Sequence, residues 1–276
     1  MSDSPADSDH DRFELLVIGG GVAGLTAATF TARAGLNTLV VNHGESILRR
    51  NAHLENMPGF PAGVNPRLFG DILDAQATRN GADLQQGRVV DLRGSLGEGF
   101  TATVGTDADD AGDDGSDTED SREVNADRVL VASWSDVSYL DGLGVEIRDA
   151  GSKQYVADDG EGRTSVDGIY TAGRVAERYH QAVIAAGDGA EAAITLIHDS
   201  ETPFYNDWVV PEGYFTDRGR EVPPGCEEID VTEQDARQAA SRAAMQEYFD
   251  ESHDEQQRTH PSLVDDPKGR VDWEDE

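Results

Sequence analysis

Six residues, Gly19-Gly20-Gly21-Val22-Ala23-Gly24, constrain this chain more than any other feature. They follow Phe13 to Ile18 (FELLVI), a continuous apolar run of the kind found in strands buried on both faces. A small-residue stretch with helical character then runs to about Ala34 and is closed by Gly35. A second apolar run, Asn37 to Val41 (NTLVV), follows it. Strand, glycine turn, helix and strand in roughly thirty residues make a βαβ unit. A GxGxxG at its first turn is the arrangement that cradles a dinucleotide pyrophosphate. Gly19 permits the tight turn, Gly21 removes a Cβ so that a phosphate can approach the backbone, and Gly24 lets helix and strand pack closely. Val22 and Ala23 open the helix, whose unpaired N–H groups and positive dipole end attract the phosphates. The position that would meet the ribose, at the end of the second strand, is Asn42 with His43 beside it. Asn42 reads either as a ribose ligand without a carboxylate's charge-assisted strength, or as a strand-end turn residue.

The 276 residues carry 55 Asp+Glu against 22 Lys+Arg, a formal charge of −33. Only Lys153 and Lys268 are lysines. Self-repulsion on this scale points to heavily screened, halophilic solvent. It excludes sequence-blind nucleic-acid binding, which neutralises phosphates with Lys and Arg, and disfavours anionic membranes. No apolar run reaches the ~20 residues of a spanning helix. The start, MSDSPADSDHD, lacks the basic and apolar regions of a signal peptide. The expectation is a soluble, cytoplasmic protein. The one cysteine, Cys226, excludes an intrachain disulfide, a CxxC pair and a multi-cysteine metal site within these residues. Its acidic neighbours are expected to raise the thiol's pKa and make it a poor nucleophile. No metal site is expected, since the acidic run near 106–117 lacks EF-hand spacing.

Met57 to Pro66 reads as loop, Arg67 to Asn80 as helix, and Asp83–Leu92, Phe100–Val104 and Arg128–Ala132 as short strands. Gly168 to Thr171 reads as strand, Gln181 to Ile197 as helix, and Thr232 to about Phe249 as helix with Thr232 and Asp235 as a capping box.

Three ordered segments resemble the low-molecular-weight thioredoxin reductases, in a haloarchaeal-type form. They are LLVIGGGVAGLTAATFTARAGLNTLVV, then Glu55-Asn56-Met57-Pro58-Gly59-Phe60-Pro61, then GRTSVDGIYTAGRVAERYHQAVIAAGDGAEAAI. The resemblance covers roughly 12–105 and 126–198. It implies an α/β fold: a Rossmann-like FAD-binding domain, a parallel sheet with helices and a small antiparallel β layer, with a C-terminal extension. It implies FAD as cofactor. Gly19, Gly21, Val22, Ala23 and Gly24 would then cradle the pyrophosphate. Asn42 with Arg50 or Asn51 would face the adenosine half, and Val89 would lie near the adenine. Asn56 falls in the segment near the flavin. Gly173, Arg174, His180, Gln181 and Ala182 would meet the ribityl chain and isoalloxazine, with the helix from Gln181 aimed at the pyrimidine edge.

The departures from the family are informative. Arg174 stands where the family has Asp, and arginine accepts no hydrogen bond; it is left to pair with the pyrophosphate. His180 replaces the family's Arg or Lys. Trp134 follows the Arg128–Ala132 strand and reads as a flavin-stacking ring or, preferred, as packing in a shortened linker. The redox dithiol is missing. The second, NADPH-binding domain is absent between about 133 and 167, too short a stretch for a nucleotide domain. The expected organisation is an acidic mobile tail at 1–11, a single FAD-binding domain at 12–199 with an acidic loop insertion at 106–125, and an extension at 200–276 with an aromatic loop and a helix at 232–249.

The function this implies is an FAD-dependent oxidoreductase taking electrons from a separate donor protein or a small molecule, and acting as a homodimer. The alternatives are a non-catalytic nucleotide-binding module that kept the fold, and a protein binding NAD(P) in the single loop. No residue is marked as catalytic; His180 is the one candidate acid or base, with a plain helix-start hydrogen bond as its other reading. The dense aromatics of 203–229 (FYNDWVVPEGYF) are expected to cover the flavin as a lid or to pack at a dimer contact, in preference to forming a substrate site.

Overall fold

The strand at Arg12–Ile18 (β1) lies at the centre of the molecule because both its faces are apolar: Leu15, Leu16 and Val17 are fully buried and Ile18 nearly so. The computed structural model describes residues 12–105, 121–151, 153–251 and 253. The expected tail at 1–11 and most of the acidic loop, 106–120, lie outside the described residues. After β1 come α1 (Val22–Arg33), β2 (Thr38–Asn42), α2 (Pro66–Arg79), β3 (Asp83–Gln86), β4 (Arg88–Ser95), β5 (Gly99–Gly105) and β6 (Ser121–Val131). Then follow β7 (Ile147–Ala150), β8 (Lys153–Val156), β9 (Ile169–Thr171), α3 (Ala182–Asp199), β10 (Trp208–Pro211), β11 (Cys226–Ile229) and α4 (Val231–Asp250).

β3, β2, β1, β6 and β9 form a parallel sheet in that order. The first half of β6 pairs antiparallel with β5, and β5 with β4. One long strand thus belongs to the parallel sheet and to an antiparallel layer. Alternation along β1 divides the core in two. Leu15 and Val17, with Val40 of β2, pack against α1, α2 and α3. Leu16 and Ile18, with Leu39 and Val41, pack against Val89, Leu92 and Phe100 of the antiparallel layer. A strand covered on both faces has no polar side to show, which is why Leu15 to Ile18 is an unbroken apolar run.

Several elements depart from their expected bounds. β6 begins at Ser121, so residues 121–125 are strand and not loop. Asp83–Leu92 is two strands, broken at Gly87, where a Cβ would strike Val104 Cγ1 at 2.6 Å. α4 is capped by Asp230, whose Oδ1 accepts from Glu233 N at 2.8 Å, and not by Thr232 with Asp235.

Residues 203–229 hold a parallel pair, β10 and β11. Arg33, at the end of α1, donates to both carboxylate oxygens of Asp207 at 2.6 and 2.7 Å, anchoring this segment. Val210 and Phe215 are buried, with Trp208 and Tyr214 packed edge-on around Phe215. α4 buries no residue, but its last turn returns to the domain. There Tyr248 packs on the helix-side core and Phe249 lies 6.3 Å from Phe60. His253 Nε2 lies 3.0 Å from Asp71 of α2. Among the described residues no helix is long and apolar enough to cross a membrane.

Candidate functional site

The parallel strands β1, β2 and β6 end on the same side of the sheet, and a cavity of about 570 Å³ lies beyond their carboxyl ends. Open parallel sheets characteristically take ligands in this crevice. Fourteen of the fifteen residues expected at the site line it: Gly19, Gly21, Val22, Ala23, Asn42, Arg50, Asn51, Asn56, Val89, Gly173, Arg174, His180, Gln181 and Ala182. Gly24 is the exception, one step further into α1. A Cβ there would collide with the carbonyl oxygen of Gly19, so its place is the helix–strand contact.

The glycines divide by task. Gly19 has φ +112° and sits so close to Ala132 that a Cβ would lie 2.5 Å from its carbonyl oxygen. Gly21 has no such constraint: a Cβ would find only Ser46 Oγ, at an ordinary 3.7 Å. Among the described residues nothing demands glycine at 21, which leaves the side open to the cavity free of a side chain.

Two helices start at the cavity, α1 and α3. Their N-cap residues, Gly21 and Gln181, make no side-chain cap, and neither first turn holds an acid. Their free N–H groups and positive dipole ends face the cavity, a ready site for an anionic group. α3 reaches this position because Gly189 lies against the Ala23 backbone, where any Cβ would clash with the Ala23 carbonyl.

The polar side chains are held by the protein itself. Asn42 Oδ1 accepts from Gly20 N at 2.9 Å, while its Nδ2 donates to the Gly44 carbonyl at 2.8 Å. It works as a turn residue, with one lone pair and one proton left for a ribose. Asn51 Nδ2 donates to the Leu48 carbonyl at 2.9 Å. Asn56 Nδ2 donates to Gln181 Oε1 at 2.6 Å, joining two motifs distant in sequence. Arg174 turns to the β7–β8 hairpin: one terminal N–H₂ donates to Tyr155 Oη at 2.6 Å and the other to the Arg178 carbonyl at 3.1 Å. His180 and Trp134 pack with ring centroids 4.6 Å apart and their planes tilted by 59°. Burial, then Arg174 and Lys153, hold the imidazole's pKa below its ordinary value. Trp134 belongs to neither core cluster and lines the cavity with φ +59°, so the preferred packing reading is replaced by a place on the cavity wall.

Sequence reasoning missed a buried ionic group behind this wall. Asp188 Oδ2 accepts from Gly173 N at 2.6 Å, and its Oδ1 from Arg178 Nε at 2.6 Å. Arg178 also donates to Asp158 at 2.6 Å. The two carboxylates are 10% and 7% exposed, so removing Arg178 would leave two buried acids without their ion-pair partner. The group fixes the Gly173 amide and the start of α3. An aspartate flanked by two glycines, Gly187-Asp188-Gly189, was the available signal. Tyr139, also on the wall, hydrogen-bonds Ser133 Oγ at 2.6 Å, and burial pushes its phenol well above the ordinary range.

Residues 203–229 supply no lining residue. They attach at the far end of α1, roughly 18 Å of helix from the glycine loop. The lid expectation is therefore corrected. Cys226, in the same segment, has its thiol pushed up, by desolvation first and by Asp207 second.

Known proteins resemble this chain in sequence and in fold. A family model described as an FAD binding domain matches residues 14–52. The thioredoxin reductase of Streptomyces coelicolor is 41% identical over 102 residues, covering 35% of this chain and 31% of that protein. The dihydrolipoyl dehydrogenase of Haloferax volcanii is 29% identical over 253 residues, covering 87% of this chain and 46% of that protein. The chain thus spans less than half the length of these curated relatives. In fold, it resembles an oxidoreductase from Agrobacterium tumefaciens, with a TM-score of 0.57 at 17% identity over 68% of this chain and 98% of that one. It also resembles a thioredoxin reductase from Gloeobacter violaceus, with a TM-score of 0.53 at 16% identity over 72% and 99%.

Proposed function

We propose that this chain, a member of the thioredoxin reductase-like FAD-dependent oxidoreductases, is a flavin module that receives electrons from a separate donor and passes them to another acceptor. The observation that carries the cofactor reading is the pair of uncapped, acid-free helix starts converging on one cavity with Gly21 open between them. Such donor-rich helix starts, with no acid in their first turns, suit a diphosphate. The amides of Gly19 to Ala23 would hold it. Asn42, Arg50, Asn51 and Val89 would meet the adenosine half. Asn56, Gly173, Arg174, His180, Gln181 and Ala182 would meet the flavin half. Bound FAD supplies one- and two-electron transfer; the residues around it bind, orient and shield it.

Two observations support a separate donor. The only cysteine, Cys226, excludes a dithiol within these residues. Between β6 and β9 the described residues form one short 3₁₀ turn and the β7–β8 hairpin, where the family carries its second nucleotide domain. Pairing of two copies is part of the same reading, since Tyr205, Trp208 and Val209 present apolar surface on the C-terminal segment.

The test is an absorption spectrum of protein purified and kept in molar KCl, followed by anaerobic mixing with NADPH, reduced ferredoxin and dithionite. A flavin spectrum bleached by ferredoxin and not by NADPH is the expected result. Colourless protein that ignores FAD but binds NADPH would overturn the cofactor reading. Bound flavin that no physiological donor reduces would favour the non-catalytic module.

A further inference from the structure

Arg174 and His180 line the cavity, Lys153 on β8 lies near enough for its charge to bear on His180, and among the described residues no carboxylate partners any of the three. This is unusual in a chain with 55 acids and 22 Lys+Arg. Elsewhere arginines find acids: Arg33 pairs with Asp207, Arg49 with Asp71, Arg88 with Asp136, Arg163 with Asp199 and Arg178 with Asp188. Arg174 finds only neutral acceptors, the Tyr155 hydroxyl and the Arg178 carbonyl. Those contacts, with the Tyr155 ring 5.0 Å beneath the guanidinium, fix its plane. They use two of its five N–H donors and leave three. Lys153 stands two residues before Tyr155 on β8, hence on the same face of the hairpin as Arg174's anchor. His180, packed against Trp134, completes the group just before α3.

Three cation-capable groups in one place repel each other, and the nearby charges of Arg174 and Lys153 already disfavour a proton on His180. A fixed, half-buried arginine without a counter-ion is held there at a cost unless an anion arrives from outside. We propose that Lys153, Arg174 and His180 form an oxyanion subsite that binds the carboxylate or phosphate group of the small-molecule substrate, with the substrate's apolar body against Trp134. The assignment to a redox substrate rests on the flavin reading above; the anion subsite itself does not. A carboxylate matches the planar guanidinium, and a phosphate ester offers the same oxyanion chemistry.

The experiment uses the full chain with FAD added, at fixed ionic strength in KCl. Chloride is replaced stepwise by benzoate in one arm and by sulfate in the other. The readouts are the NMR titration of the His180 ring, assigned with His180→Gln, and Trp134 fluorescence in a Trp208→Phe, Trp273→Phe background. Bound anion is expected to raise the His180 pKa and to shift Trp134 emission. Benzoate acting alone identifies carboxylates as the class, and sulfate acting alone identifies phosphate esters. Lys153→Gln should raise the half-saturating anion concentration roughly three- to tenfold, the size of one partly screened charge pair. It should also raise the His180 pKa before any anion is added. No response to either anion, or a response that Lys153→Gln leaves unchanged, overturns the proposal. So does a response that FAD abolishes, because bound cofactor would then fill the cluster and leave no place for a substrate anion. Failure of the flavin reading shows separately, as a missing visible spectrum, while the anion titration still judges the subsite.

Discussion

The four α-helices among the described residues fall into two pairs according to where they begin. α2 and α4 start away from the cavity wall, and each is capped by its own chain: Asn65 Oδ1 accepts from Arg67 N at 2.9 Å, and Asp230 Oδ1 from Glu233 N. α1 and α3 start at the cavity, and neither has a side-chain cap or an acid in its first turn. A missing cap costs about 1 kcal/mol, so the cavity end forgoes roughly 2 kcal/mol that an Asp or Asn at 21 and 181 would supply. In a chain so rich in aspartate, that residue was readily available. The difference teaches that these donors are reserved for an anion that the chain does not itself provide.

The comparison can be broken or sharpened experimentally. Gly24→Val should have the largest effect, because the new side chain meets the Gly19 backbone, which has nowhere to go. A loss of about 3 kcal/mol or more is expected in thermal melts without any ligand. Gly21→Ala separates binding from folding. Its Cβ meets only Ser46 Oγ at 3.7 Å, so stability should fall by less than about 1 kcal/mol, while FAD affinity drops roughly tenfold or more in a fluorescence titration. Equal effects on both would remove the distinction between the glycines.

Gln181→Asp gives α3 a cap of its own. It should raise the melting stability of the ligand-free chain by about 0.5–1 kcal/mol and weaken FAD binding several-fold, since a carboxylate then competes for the amides. Asp230→Ala is the control at a helix start outside the cavity: about 1 kcal/mol of local stability lost from α4, with FAD affinity unchanged.

The smallest effect concerns the C-terminal segment. Desolvation alone would raise the Glu228 carboxyl, but the N–H groups of Thr216, Phe215 and Gly213 and the Thr216 hydroxyl hold it down at about 2, from an ordinary 4.5. A depressed carboxylate contributes fully above its unfolded value and loses that contribution as pH falls through the folded one. The near-UV circular dichroism of Trp208, Tyr214 and Phe215 should therefore weaken between about pH 4.5 and pH 2. Glu228→Gln should weaken it already at neutral pH and flatten the pH dependence.

Much of this site was legible where the signal was local. β1, the glycine turn, α1 and β2 were readable from apolar runs and glycine spacing, because one βαβ unit specifies its own geometry. Other elements were obscured. In β6, Val124 and Ala126 alternate inward while Ser121, Glu123 and Asn125 point to solvent, and the polar outward set reads as loop. The β10–β11 pair is parallel, so its partners are joined by a long connection with no hairpin signal. Trp134 was read as packing because position in sequence says nothing about which side of a linker faces a cavity.

By itself the sequence determined the βαβ unit and the glycine loop, since helix and strand periods and the steric demands of glycine are short-range properties. Only the tertiary structure decided which charges lack partners. It placed Asn56 against Gln181, sent the aromatic segment to the far end of α1, and buried Asp188 and Asp158 with Arg178. Those outcomes depend on which remote segments come within a few ångströms, and charge pairing is decided at that distance. Thus Arg174 reads in sequence as one departure among several, and in space as a cation fixed toward an anion still to be identified.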